Sequence, residues 1–175
     1  MSALVPTPLL MTRRLLAYLI AAGVFTLDRI TKLVIDRLVP LWESREVIPG
    51  FFNIVHTENA AAAFSLFTSV APGWRRFFLI GSSSVAAVLI SVLLWRDGAR
   101  AVGSRMVSIG LALILGGALG NLYDRITPGT VTDFLEFYVG SFRWPAFNVA
   151  DSAISIGAGL VLLDLLLAKR ALKKG

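Results

Sequence analysis

Two aspartates, Asp133 and Asp151, flank a short aromatic stretch that separates two apolar runs of the chain. Ionisable side chains at the ends of membrane-spanning segments are costly to keep there, and they usually mark functional sites. Two carboxylates within hydrogen-bond distance cannot both ionise comfortably. One therefore keeps its proton, and the pair can polarise a water while donating to a substrate carbonyl. The sequence predicts a paired-carboxylate hydrolytic centre at Asp133 and Asp151, close to a membrane surface.

Asparagines accompany these acids at regular spacing. Asn121 precedes Asp124 by three residues at the end of one apolar run, and Asn148 precedes Asp151 by three at the start of the next. On a helix this spacing places each pair on one face. An amide side chain both donates and accepts, so we expect the asparagines to hold a peptide backbone beside the acids. Asn59, just before a run of alanines, has the same capacity.

The composition is that of a membrane protein. Of the 175 residues, 56% are hydrophobic and only 16% are charged, and the mean hydropathy is +0.75. Soluble domains carry about 25% charged residues, and one helical span needs about 20 apolar residues. We predict a single membrane-embedded domain over residues 1–175. Its four spans are expected at about 13–35, 75–95, 104–124 and 147–168, with outer loops at about 36–73 and 125–146.

The charge distribution predicts the orientation of these spans. Net charge is +6, and basic residues crowd the C-terminus, the start of the first apolar run and the segment between the second and third. This is the pattern of cytoplasmic ends, so both termini are expected inside and the acids outside. Arg75 and Arg76 depart from the pattern, because they fall at the outer end of the second span. A nucleic-acid surface would need the charges gathered on one folded face, so we expect no nucleic-acid partner.

Several kinds of site are excluded by residue type. The chain has no cysteine and a single histidine, His56, so thiol nucleophiles, disulfides and the usual zinc sites lack their ligands. We expect neither metal nor cofactor, and we interpret His56 as an ordinary loop histidine. Serines 82–84 could suggest an intramembrane serine protease, but no histidine base is available on a neighbouring span.

Other local patterns predict supporting structure. Asp28 and Lys32 are four residues apart and can pair on one helix face, and Asp124 is expected in a salt bridge with Arg125. Gly116 and Gly120 form a close-packing signature in the third span.

Two segments outside the spans have their own signatures. The stretch 47–57 is rich in β-branched and aromatic residues and predicts short strands of a small extramembrane sheet. Residues 126–144 have the aromatic composition of a segment lying on the membrane surface. Residues 58–65 are compatible with a turn entering a surface helix. Asp164, near the basic tail, is interpreted as a charge-paired structural acid.

From the residues alone, three classes of function stay open. A membrane hydrolase is favoured because the acids and asparagines converge at one end of the spans. A small transporter or proton-conducting protein could use the same acids, although such proteins usually show internal repeats and broken helices near the bilayer midplane. A structural membrane subunit is the third alternative.

At these residues the chain resembles the bacterial lipoprotein signal peptidases, the signal peptidase II family. The resemblance runs through most of the chain, and the ordered set of motifs is more specific than any one of them. The motifs are LDRITK at 27–32, NAAAAFS at 59–65, GGALGNLYDR at 116–125, VTDF at 131–134 and AFNVADS at 146–152.

This resemblance implies a mainly α, integral membrane fold with four transmembrane helices, a small extracytoplasmic β-cradle and a surface-lying helical segment. It implies an aspartic endopeptidase that cuts signal peptides from prolipoproteins, just before a cysteine carrying diacylglycerol. Asp133 and Asp151 match the catalytic dyad. Polar positions lining the substrate site match Asn59, Asn121, Arg125 and Asn148, and supporting positions match Asp28, Lys32 and Asp124.

The implied setting is the bacterial inner membrane, with the site toward the outer face. Expected partners are lipid-modified prolipoprotein signal peptides, membrane lipids and globomycin-type inhibitors, and we expect a monomer. One position departs from the family pattern, which usually has glycine where this chain has Ala61. The added methyl group reduces backbone freedom in that turn.

Overall fold

The fold is described by a computed structural model, which covers residues 8–60, 72–95 and 104–172. Four helices and four strands make up this part of the chain. In order they are α1 (Pro8–Leu38), β1 (Ser44–Ile48), β2 (Phe52–Asn59), α2 (Pro72–Trp95), α3 (Arg105–Ile126), β3 (Val131–Val139), β4 (Phe142–Arg143) and α4 (Val149–Leu172).

Three of these helices are long and apolar enough to cross a membrane. They are Gly73–Trp95, Arg105–Ile126 and Val149–Arg170, with mean hydropathies of 2.4, 1.7 and 1.8. The longest helix, α1, has 31 residues and carries the charged side chains of Asp28, Arg29 and Lys32; it is not one of these three, which were identified over the described residues. The chain is thus a mainly helical membrane protein with a small antiparallel sheet.

Glycines on α3 let its neighbours approach closely, as the spacing of Gly116 and Gly120 predicted. A Cβ atom at Gly116 would lie 2.5 Å from the carbonyl oxygen of Ala21 in α1, and one at Gly120 would lie 2.6 Å from a carboxylate oxygen of Asp28. On another side of α3, a Cβ atom at Gly117 would collide with the carbonyl oxygen of Ala150 in α4. Side chains at these positions would push α1 and α4 away from α3.

The sheet has the strand order β1-β2-β3-β4, with neighbouring strands antiparallel. The strands predicted within 47–57 are confirmed as β1 and β2. No strand was predicted within 126–144, where the structure has β3 and β4; the position of this segment on the membrane surface stays a prediction. Aromatic and β-branched residues suit both structures, and composition alone did not separate them. The predicted surface helix falls mainly on residues 61–71, which lie outside the described part of the chain.

Two sets of backbone hydrogen bonds place β3 beside the neighbouring elements. Asp133 pairs with Thr57 across β2 and β3. Phe147 exchanges backbone hydrogen bonds with Leu135, at 2.8 and 3.0 Å, and accepts another from Phe134 at 3.0 Å. The second set holds the start of α4 against β3, so the sheet brings Asp133 next to the residues that open α4.

His56 has a different setting from the predicted loop. It lies in β2 and is buried, with Nδ1 2.7 Å from the carbonyl oxygen of Val39 and Nε2 3.4 Å from a carboxylate oxygen of Asp36. Thr132 also donates a hydrogen bond to Asp36, at 3.3 Å. His56 therefore ties the end of α1 to the sheet.

Candidate active site

Asp133 lies in β3 and is almost completely buried, with 3% of its surface exposed. Both of its carboxylate oxygens accept hydrogen bonds from amide side chains. Asn148 donates to Oδ1 at 2.7 Å, and Asn59, at the end of β2, donates to Oδ2 at 3.0 Å. Two elements that are distant in sequence therefore fix the orientation of this carboxyl group.

Asp151 is the third residue of α4 and is half-buried. Its Oδ1 accepts a hydrogen bond from the side chain of Asn121 in α3, at 2.7 Å. The first turn of a helix favours negative charge, because its free N–H groups carry the positive end of the helix dipole. Asp151 occupies this favourable position for an acidic side chain.

Asn148 connects the two acids. It caps the N-terminus of α4, since its side-chain oxygen accepts a hydrogen bond from the backbone N–H of Asp151 at 2.9 Å. With the oxygen occupied in this way, the amide hydrogens are directed to Asp133. Asn148 is fully buried. Its side chain links the backbone of Asp151 to the carboxyl group of Asp133 by one hydrogen bond to each.

The side chain of Asn121 is likewise oriented by hydrogen bonds to its oxygen. Its side-chain oxygen accepts from Lys32 at 3.2 Å and from Asn148 at 3.3 Å, so its amide hydrogens face Asp151. Each asparagine thus has its carbonyl held from one side and donates to one of the two acids on the other.

Behind the asparagines lies a buried ionic cluster. Lys32 contacts Asp28 at 2.8 Å and Asp124 at 2.7 Å, and Arg29 forms a further ion pair with Asp124. Asp28 also accepts a hydrogen bond from the backbone N–H of Ala150 in the first turn of α4, at 3.0 Å. The cluster therefore connects α1, α3 and the start of α4 directly below the two acids.

The predicted pairing of Asp28 with Lys32 is confirmed. Asp124 is ion-paired, but the predicted partner Arg125 was wrong, because the partners are Arg29 and Lys32. Arg125 instead donates to the backbone oxygen of Asn121 at 3.2 Å. The charge of Arg125 acts most strongly on Asp151, then on Asp124 and Asp133, so it is a cation beside the acid pair.

The environment of Asp133 favours its protonated form. Burial, and next the charge of Asp151, raise the pKa of Asp133 from 3.8 to about 7, against the opposing hydrogen bonds from Asn59 and Asn148 and the charge of Lys32. Desolvation and a like charge both penalise the ionised carboxylate. The site thus contains one acid, Asp133, that keeps its proton near neutral pH, and a second carboxyl group, that of Asp151, whose charge acts on it.

The side chains predicted to lie apart from this centre do so. Asp164 accepts a hydrogen bond from Ser104, the N-cap residue of α3, at 2.5 Å, which is a partner that the sequence analysis did not foresee. Ser82 donates to the backbone of its own helix, at Leu79. Within the described residues, no three histidine, cysteine, aspartate or glutamate side chains converge as a metal site would require.

Comparison with known proteins relates this geometry to a family. Residues 20–167 match the family model described as "Signal peptidase (SPase) II". The chain is 45% identical over 154 residues to a lipoprotein signal peptidase of Solibacter usitatus, which covers 88% of this chain and 92% of that protein. It is also 44% identical over 146 residues to a lipoprotein signal peptidase of Alteromonas mediterranea, with 83% and 78% covered.

Solved structures support the same assignment. A bacterial membrane enzyme determined in meso superposes with a TM-score of 0.75 and 28% identity, over 87% of this chain and 88% of the other. A second structure with the same description gives a TM-score of 0.72 at 29% identity, over 86% and 92%. The family model over residues 20–167 and these relatives show that the chain belongs to the signal peptidase II family.

Proposed function

We propose that this protein is an aspartic membrane endopeptidase that removes signal peptides from diacylglyceryl-modified prolipoproteins, cleaving before the lipidated cysteine. The observation that carries the proposal is the amide network joining Asp133 to Asp151 through Asn148 and Asn121. In this network each of the two carboxyl groups accepts a hydrogen bond from an amide side chain, which fixes its orientation.

In the proposed mechanism, Asp133 enters as the acid and Asp151 as the base. Asp151 takes a proton from a water whose oxygen attacks the scissile carbonyl carbon, while Asp133 gives its proton to the carbonyl oxygen. In the second step the carbon–nitrogen bond breaks. The leaving nitrogen takes the proton from Asp151, and one hydroxyl of the intermediate returns a proton to Asp133, which restores both groups.

The neighbouring polar residues fit two supporting roles. Asn59, Asn121, Arg125 and Asn148 would line the substrate. The three asparagines support this because they donate to the two acids, and Arg125 supports it because it donates to the backbone of Asn121. Asp28, Lys32 and Asp124 would hold the frame, since they are buried and mutually paired.

We further propose that α1 is a fourth span. At 1.5 Å per residue its 31 residues extend about 46 Å, more than the hydrocarbon thickness of about 30 Å. Its charged residues Asp28 and Lys32 are fully buried, whereas Leu15, Leu19 and Ile30 are more than half exposed. A helix that faces lipid needs apolar side chains on its exposed surface and charged side chains that are buried and paired with one another.

The proposed setting follows from this arrangement. Both termini would be cytoplasmic in the bacterial inner membrane, with residues 1–175 forming one domain and the sheet and acids on the outer side. A lipid-modified substrate could then approach sideways with its acyl chains still among membrane lipids. We propose that a monomer suffices, because every member of the dyad network belongs to one chain, and that globomycin-type inhibitors would occupy this same site.

The experiment that tests the function uses a pair of synthetic signal-peptide substrates. One carries diacylglycerol on its cysteine and the other is the same peptide without lipid. The purified full-length chain in lipid nanodiscs is expected to cut only the lipidated peptide, before the cysteine, as read by mass spectrometry. Equal cleavage of both peptides would overturn the lipid specificity, and cleavage of neither would favour the transporter alternative.

A further inference from the structure

Arg76 lies at the outer end of α2, where a basic residue runs against the charge pattern of the other span ends. Its guanidinium group reaches to the end of α3. Nε donates to the backbone oxygen of Arg125 at 3.0 Å, and Nη2 donates to that of Ile126 at 3.1 Å. A cation at the C-terminus of a helix is favoured by the helix dipole, so this contact accounts for the exception.

The last four carbonyl groups of a helix have no partners within that helix, and at the end of α3 all four are satisfied. The oxygen of Tyr123 accepts from the backbone of Thr127, and that of Asp124 accepts from Gly129, both at 2.9 Å. Arg76 supplies hydrogen bonds to the remaining two. In the described part of the chain, the donor to the oxygens of Arg125 and Ile126 is Arg76 rather than its neighbour Arg75.

The turn that follows α3 lies beside the guanidinium group of Arg76. Gly129 has a φ of +97°, a backbone conformation that favours glycine, and a Cβ atom there would lie 3.2 Å from Nη1 of Arg76. This turn connects α3 to β3, which begins at Val131 and carries Asp133. Arg76 therefore holds the end of the helix that bears Asn121 and Arg125 and lies beside Gly129 in the turn that leads to the strand bearing Asp133.

We propose that Arg76 is a positioning residue for the peptidase reaction: by holding the end of α3, it keeps the Arg125 side chain beside the acid pair. This inference rests on the proposed function. Arg76 would act through Arg125, whose backbone it holds and whose charge acts on Asp151 and Asp133. The guanidinium group of arginine can donate to two carbonyl oxygens through two different nitrogens, whereas lysine has a single charged nitrogen.

The test compares three variants of the full-length protein in nanodiscs, assayed on the lipidated peptide. Arg76→Ala is expected to lower kcat by about 10- to 100-fold with KM within about threefold, because misplacement of catalytic groups costs rate rather than binding. Arg76→Lys keeps the positive charge at the helix end but cannot donate through two guanidinium nitrogens, so an intermediate kcat is expected. Arg75→Ala, which removes the same charge one residue away, is expected to behave as wild type.

The pH profile separates positioning from mere structural support. The charge of Lys32 lowers the pKa of Asp133, and Arg125 interacts with Asp133 more weakly than with Asp151 and Asp124. Displacement of Arg125 should remove its part of the stabilisation of ionised Asp133 while Lys32 stays in place, and so move the alkaline limb of kcat/KM upward in Arg76→Ala. Loss of folded protein alone would scale the rate without moving that limb, and this result would overturn the inference. An equal effect of Arg75→Ala would overturn it too. An inactive wild type would instead refute the peptidase function itself.

Discussion

Asp151→Asn is expected to abolish cleavage of the lipidated peptide, with a loss of at least about 10³-fold in kcat, while the protein still folds. An amide at this position can still accept the hydrogen bond from Asn121, but it cannot take a proton from water. Asp133→Asn should be equally inactive. It should also lose about 1–3 kcal/mol of stability, because its new NH₂ group would face the amide hydrogens of Asn59 or Asn148.

Asp164→Ala is the matched control for both variants. It removes an aspartate from the same helix as Asp151, but at the other end, where the carboxylate accepts from Ser104. Turnover within a few-fold of wild type is expected there, measured by the same assay and normalised to folded protein. Cleavage by either dyad variant at near wild-type rates, or a complete loss in Asp164→Ala, would show that the catalytic centre lies elsewhere.

Lys32→Met is expected to have the largest effect on stability. It would leave the carboxylates of Asp28 and Asp124 close together with only Arg29 to compensate them, and breaking a buried pair in this way costs about 3–5 kcal/mol. The same change frees the side-chain oxygen of Asn121, so activity should fall as well. Unfolding in mixed micelles, followed by circular dichroism, measures the first effect.

A second substitution should restore much of that stability. In Asp28→Asn with Lys32→Met, the charge on residue 28 is gone while its side-chain oxygen can still accept from Ala150, and Arg29 still pairs with Asp124. Lys169→Met, at the exposed end of α4, is the control and should leave stability unchanged. If the single variant were as stable as wild type, or the double variant less stable than the single one, charge compensation by Lys32 would be refuted.

Sequence patterns were sufficient where the interaction is local. Asp28 and Lys32 are one helical turn apart, and the glycines of α3 repeat at helical spacing, so both features could be predicted. Residue types and their positions singled out Asp133, Asp151 and the asparagines, the resemblance to the peptidase family added their roles, and the structure joins these residues in one network.

Long-range contacts could not be read in the same way. Adjacent residues on a helix do not face each other, so Arg125 was a poor partner for Asp124, whereas Arg29 lies 95 residues away. The strand β3 was missed because its pairing with β2 depends on residues more than 70 positions distant. Arg76 departed from the charge pattern of the predicted topology. Its contacts with the end of α3, which account for its position, could not be read from the sequence.

The most direct measurement of the central claim is the pH dependence of kcat/KM, which reports the ionisation of the free enzyme. Asp133 must be protonated to act as the acid, and its pKa is about 7. The rate should therefore fall about tenfold per pH unit above that value, by simple acid ionisation. A rate that stayed constant or rose from pH 7 to 9 would contradict a catalytic pair in which Asp133 holds the proton.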